Sequence, residues 1–275
     1  MLGPWIKPGP GHALFGISVA GLAALSLVYG NFAPIMEPFP APFPWRDAWA
    51  YGPGAVLLAA GAGLFFARTA PASAVIVGAY ELAWVAARAR AVFVKPMVVG
   101  SWYGLGEALG PLLGAWILCA MLRREQGGHA MTLMTGAGAL RVARVLFGAC
   151  CVAYGAAHYA YAAYTAPMVP AWLPGRMGLV YVTGACHAAA GFGLLLGVRP
   201  RLAATLEAIM LSLFGVLVWL PSFFAHPVPA WAAPAQVQWS ETLLTFLLAG
   251  SAWIVAASLE NTPWGRQGGT GRLST

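Results

Sequence analysis

Charge is scarce in this sequence: Asp, Glu, Lys and Arg make up 8% of 275 residues, against roughly 25% in a soluble domain. With 60% of the residues apolar, too few polar side chains remain to cover a water-facing surface, and the missing polar surface is surface that lipid covers. Cysteine is sparse as well. Cys119, Cys150, Cys151 and Cys186 all lie in apolar segments, with no CxxC and no zinc-like spacing, and read as small core residues. There is no GxGxxG, Walker loop, HExxH or nucleophile elbow, so nucleotide-driven and hydrolytic chemistry have no support. The net charge is +7, but the basic residues stand singly at segment ends and form no patch interleaved with aromatics. That distribution excludes nucleic acid as a partner and reads as topology-setting charge.

What the chain does have is long apolar runs. Eight of them, near 12–30, 48–67, 72–93, 100–122, 142–164, 177–197, 202–223 and 240–259, are long enough as helices to cross about 30 Å of hydrocarbon. None alternates with the period of two that a membrane barrel strand needs, whereas a helix satisfies its own backbone in lipid. The first run follows a single Lys7, as in a signal peptide, but lacks a small-x-small stop and reads as a retained helix. Pro38, Pro40, Pro42 and Pro44 fill the first loop, while Pro71 and Pro200 open the third and seventh helices. Lys7, Arg68, Arg123, Arg124, Arg141, Arg144, Arg199, Arg201, Arg266 and Arg272 fall on one side, and Arg46, Arg88, Arg90, Lys95 and Arg176 on the other. This asymmetry predicts both termini in the cytoplasm, with the lipid bilayer as the chain's constant partner. Twelve Trp, several near helix ends, read as interfacial anchors.

The two halves repeat. PWRDAWAYGPGAVLLAAGAGL from Pro44 matches PGRMGLVYVTGACHAAAGFGL from Pro174 at a shift of 130 residues, pairing Arg46 with Arg176, Tyr51 with Tyr181, Gly54 with Gly184 and Gly61 with Gly191. Val28-Tyr29-Gly30 answers Ala153-Tyr154-Gly155, and GAWIL at 114–118 answers SAWIV at 251–255. The expected fold is therefore all-α: a polytopic membrane helix bundle of eight transmembrane helices as two parallel four-helix repeats. The expected units are residues 1–125, a cytoplasmic linker at 126–140, a second repeat at 141–262 and a cytoplasmic tail at 263–275. The matched glycines place small residues at helical spacing, where backbones can approach closely.

Within the second half, Tyr154, Gly155 and His158, VPAWLP at 169–174, the YxxGxxHxxAG stretch from Tyr181 to Gly191, and RLAA at 201–204 before a closing WLP resemble the DoxX-like family of four-helix membrane proteins. The likeness is good over 142–260 and weaker over 12–122, where Leu57 and Ala33 answer His187 and His158. The resemblance implies a bacterial cytoplasmic membrane protein, in some members linked to thiosulfate:quinone oxidoreduction or oxidative-stress complexes. It marks a scaffold more than a chemistry.

Ionisable residues inside a bilayer cost energy and are the first functional candidates. One set joins His158, His187 and Arg176 as catalytic candidates with Trp172, Tyr181, Trp219, His226 and Glu241 around an outer pocket of the second repeat. Such a pocket suits a quinone head, with His bonding a carbonyl oxygen, Arg neutralising negative charge and Trp excluding water. A His pair can instead ligate haem iron or copper, or simply bond a backbone carbonyl or a Tyr. The other set is Glu81, Arg88, Arg90 and Glu107, which reads as an interhelical ion pair or as a proton path with Glu81 deepest. Glu207 is expected to snorkel or to pair with Arg199 or Arg201. Three functions follow: a quinone-linked oxidoreductase subunit working with other membrane or peripheral redox subunits, a small-solute or proton transporter, and a structural or assembly subunit.

Overall fold

In a computed structural model the chain is described over residues 9–34, 37, 39–40, 42–125 and 132–264. The linker's residues 126–131, the tail beyond 264, and Lys7, Arg266 and Arg272 from the charge count lie outside them. Eight long helices are present: α1 (Pro10–Tyr29), α2 (Arg46–Gly63), α3 (Ala70–Val94), α4 (Val99–Glu125), α5 (Ala137–Ala160), α6 (Arg176–Leu196), α7 (Pro200–Phe214) and α8 (Ala235–Ala257). No strand occurs among the described residues. Seven of the eight are long and apolar enough to cross a membrane, which makes this a multi-pass membrane protein. The helix outside that group is α2, only 18 residues long and opening on Arg46 and Asp47.

Pro lies in the first turn of α1, α3 and α7, where a missing N–H costs nothing, and Gly30 and Gly197 end α1 and α6 in the left-handed conformation. The helical run that α7 opens does not stop at Phe214. It continues through one π turn at Gly215–Trp219 into Leu220–Ser222. A π turn inside a helix often marks a functional position.

The neighbour pattern has two matching halves. Helix α1 packs on α2 and α8, while α5 packs on α6 and α4; α3 pairs with α4 as α7 pairs with α8, and α4 meets α8 in the centre. Small residues set these approaches. A side chain at Gly61 would lie 2.7 Å from the Ala20 backbone, and one at Gly191 would lie 2.6 Å from the Gly148 carbonyl. Against α2, helix α1 presents Gly16, Ala20 and Ser26; against α6, helix α5 presents Gly148, Val152 and His158, each 132 residues further on. The register expected from Val28-Tyr29-Gly30 against Ala153-Tyr154-Gly155 is therefore not the one in which the helices pack. In these contacts Ser26 lies against Gly54 and His158 against Gly184, an offset of 132 residues where 125 was expected.

A buried histidine and carboxylate cluster as the candidate functional site

Two helical histidines expected to converge do so. His158 and His187, on the adjacent helices α5 and α6, bring their ring centroids to 4.9 Å. His187 is 1% exposed, and its Nδ1 bonds Glu207 Oε1 of α7 at 2.8 Å. Glu207 is fully buried, and the Cys151 thiol faces the same carboxyl. His158 Nδ1 donates to the Tyr154 carbonyl at 3.0 Å, one turn back along its own helix. The Tyr154 hydroxyl in turn donates to the Gly106 carbonyl of α4 at 2.7 Å. Phe214, the last residue before the π turn, stacks on His158 and leans on His187. His158 is only half-buried, and Tyr159, stacked on Tyr181, is exposed beside it, so the edge of the cluster reaches the protein surface on the α5–α6 side.

Glu207 is the residue that sequence reasoning misplaced. It neither snorkels nor pairs with Arg199 or Arg201, because the face of α7 that carries it turns into the bundle between Ala204, Ala208 and Leu211, all buried. The outer pocket is corrected too. Arg176 is exposed at the start of α6, eleven residues or about 16 Å of helix from His187. Trp172 is 71% exposed, and His226 lies exposed in the following loop. Trp219 is buried, but against Trp231, with ring centroids 5.3 Å apart. Tyr181 reaches the cluster's edge only through Tyr159.

Glu241 belongs elsewhere. With Arg88, Tyr103 and Glu107 it forms a second polar group joining α3, α4 and α8, in which Tyr103 hydrogen-bonds Glu107 and Arg88 interacts with both carboxyls. Arg90 is exposed and takes no part. Glu81 does not join Arg88 and Glu107 either. It lines a cavity of about 20 Å³ with Ser26, Leu57, Val77, Tyr80 and Glu37, room for one water. Glu37 accepts from the Tyr80 hydroxyl and from the Ala33 amide at 2.6 Å. The sequence offered one signal for it: Glu37 is the only acid in the aromatic, proline-rich loop before α2. Burial raises the Glu37 carboxyl above its ordinary value, against the two hydrogen bonds it accepts. A raised carboxyl stabilises the fold most below about pH 4.5, its unfolded value, and that stability is lost as pH rises toward the folded value. Thermal melts of detergent-purified protein are therefore expected to fall with rising pH above 4.5 more steeply in the wild type than in Glu37→Gln. Parallel pH profiles would contradict this.

A comparison with family models, curated proteins and solved structures returns no match. Haem does not fit between the two histidines: two metal–nitrogen bonds alone need about 4 Å, before ring radii are added, and the centroids are 4.9 Å apart. Copper meets only the two imidazoles, since among the described residues no group of three His, Cys, Asp or Glu is arranged to hold a metal. A ligand with hydroxyl protons to donate fits the two rings better. Both histidines have Nδ1 committed to an acceptor, which in the neutral rings leaves each Nε2 as a bare acceptor.

Proposed function

We propose that this chain is a DoxX-like integral subunit of a quinone-linked oxidoreductase in a bacterial cytoplasmic membrane, and that His158, His187 and Glu207 form its proton-handling site. The observation that carries the reading is the buried Glu207–His187 bond at 2.8 Å with His158 packed against it. Oriented carboxylate–imidazole pairs of this kind hold a defined tautomer and take up a proton on the other ring nitrogen. The ligand they suit is one presenting hydroxyl protons, the reduced form of a quinone, whose ring supplies two-electron redox chemistry when bound. Phe214, Tyr159 and Tyr181 provide aromatic walls at the lipid-facing edge, through which an apolar molecule can arrive from the bilayer. Electrons would leave through a partner subunit.

The finer architecture is part of the same proposal: eight spans, with α2 as the shortest, arranged as two parallel four-helix repeats around an axis along the membrane normal. Supporting it are the matched neighbour pattern and the contact of Gly114 with Ser251, equivalent positions of the two halves that meet on the axis. The arginines of the α4–α5 and α6–α7 turns favour a cytoplasmic side for that end of the bundle, and with it for both termini. On this arrangement Ser26, Leu57 and Val77 are the counterparts of His158, His187 and Glu207, and the Glu37–Glu81 cavity occupies the equivalent place. That second pair of buried carboxyls favours one competing reading, proton or small-solute transport through the first half.

The deciding experiment is a mass-spectrometric inventory of molecules retained by the detergent-purified protein, with titration of a short-chain quinol followed by Trp fluorescence. Wild type is expected to retain quinone, and His158→Ala to bind the quinol about tenfold more weakly, the equivalent of one hydrogen bond near 1.4 kcal/mol. Equal binding by wild type and variant, or none by a well-folded wild type, would move the assignment to transport.

A further inference from the structure

At the arginine-rich end of the bundle, α5 begins, α6 ends, α7 begins and α8 ends around one cavity of about 240 Å³. Its walls are of two kinds. Arg141 and Arg144 stand three residues apart on one face of α5, and Val145, Leu194, Leu195 and Leu259 supply the apolar remainder. Among the described residues no acidic side chain contributes to this lining. Arg144 is held in place by Ser258, donating from Nε to the hydroxyl at 3.0 Å and from Nη2 to the carbonyl. Arg141, by contrast, is exposed and makes no hydrogen bond among the described residues. Arg199 and Arg201 neighbour the lining residue Pro200 in sequence; Arg201 is anchored by the Glu260 carbonyl at 2.6 Å and by the Trp264 ring at 4.1 Å. Beside the opening, Leu196 and Val198 present exposed apolar side chains, as expected where acyl chains reach the protein.

One braced guanidinium and one free guanidinium at the water end of an apolar cavity match an amphiphile with an anionic head. A guanidinium binds phosphate oxygens through paired donors, and basic pockets between helices at a membrane's cytoplasmic edge take acidic headgroups. We propose that this cavity is a binding site for the phosphate of an anionic phospholipid, with Arg141 and Arg144 as its ligands and Leu194, Leu195 and Leu259 against the glycerol and upper acyl carbons. The same chemistry would also accept a free phosphate, but the apolar share of the lining favours the lipid.

The test uses the full chain in nanodiscs of phosphatidylglycerol or phosphatidylcholine, released into detergent and examined by native mass spectrometry, with inorganic phosphate as competitor. Wild type is expected to retain phosphatidylglycerol at least tenfold over phosphatidylcholine. Arg141→Gln, which leaves the Arg144–Ser258 bonds intact, is expected to lose that preference. Lys95→Gln, an exposed cation at the opposite end, should keep it. Equal retention of the two lipids, or equal behaviour of the Arg141 and Lys95 variants, would overturn the site. Displacement of the lipid by submillimolar phosphate would overturn its assignment to a lipid. Melting curves of each variant separate loss of binding from loss of fold.

Discussion

His187→Ala is expected to destabilise the protein by about 3 kcal/mol, toward the low end of what orphaning one member of a buried pair costs. Glu207 is fully buried, and its Oε1 is held by His187 Nδ1 at 2.8 Å. The informative comparison is the double variant His187→Leu/Glu207→Val, which installs the apolar pair that Leu57 and Val77 supply at the equivalent positions of the proposed repeat. Replacing both partners of a buried hydrogen bond with apolar groups of similar shape can be nearly neutral or stabilising, so this variant should recover to within about 1 kcal/mol of wild type while binding no quinol. Unfolding in mixed micelles measures both. If His187→Ala is as stable as wild type, the pair does not hold the fold; if the double variant is stable and still binds, the site lies elsewhere.

The second large effect concerns the helix crossings. Gly191→Ala puts a methyl group 2.6 Å from the Gly148 carbonyl and 2.9 Å from the Val152 amide, both backbone atoms that cannot turn aside. Gly61→Ala does the same against Ala20, at 2.7 Å from its nitrogen. Each is expected to cost about 1–3 kcal/mol through forced separation of the paired helices. Gly52→Ala has the opposite sign. Nothing lies within 4 Å of its added carbon, so the lower backbone entropy of Ala should stabilise α2 by about 0.5–1 kcal/mol. The same unfolding assay decides, and a neutral Gly191→Ala would mean that α5 and α6 are not in close backbone contact.

The two helical histidines were legible as a pair because they stand in patterned stretches of helices that follow one another. Their shared partner was not. Glu207 lies seven residues into α7, near two arginines in sequence, and position alone suggested a side chain reaching back toward the headgroups. Which way it points depends on the rotation of α7, and that rotation follows from how Ala203 packs under Gly193. Glu241 and Glu81 went to different neighbours for the same reason, since sequence spacing gives depth along a helix but not the direction around it. Glu37 was invisible for another reason. It sits in a loop whose course back over the bundle is set by Phe32 and Phe39 stacking at 4.3 Å and by Arg46 lying across both rings and bonding Asn31.

By itself the sequence determined that this chain spans a membrane as helices. Lipid offers no hydrogen bonds, so long apolar runs with almost no charge have only the helix in which to satisfy their backbone. Where the helices begin and end followed closely from Pro, Gly and Arg. Only the tertiary structure decided which polar groups meet. These helices are apolar nearly all round, so no amphipathic stripe declares an inward face, and the choice falls to glycines and alanines that let particular backbones touch.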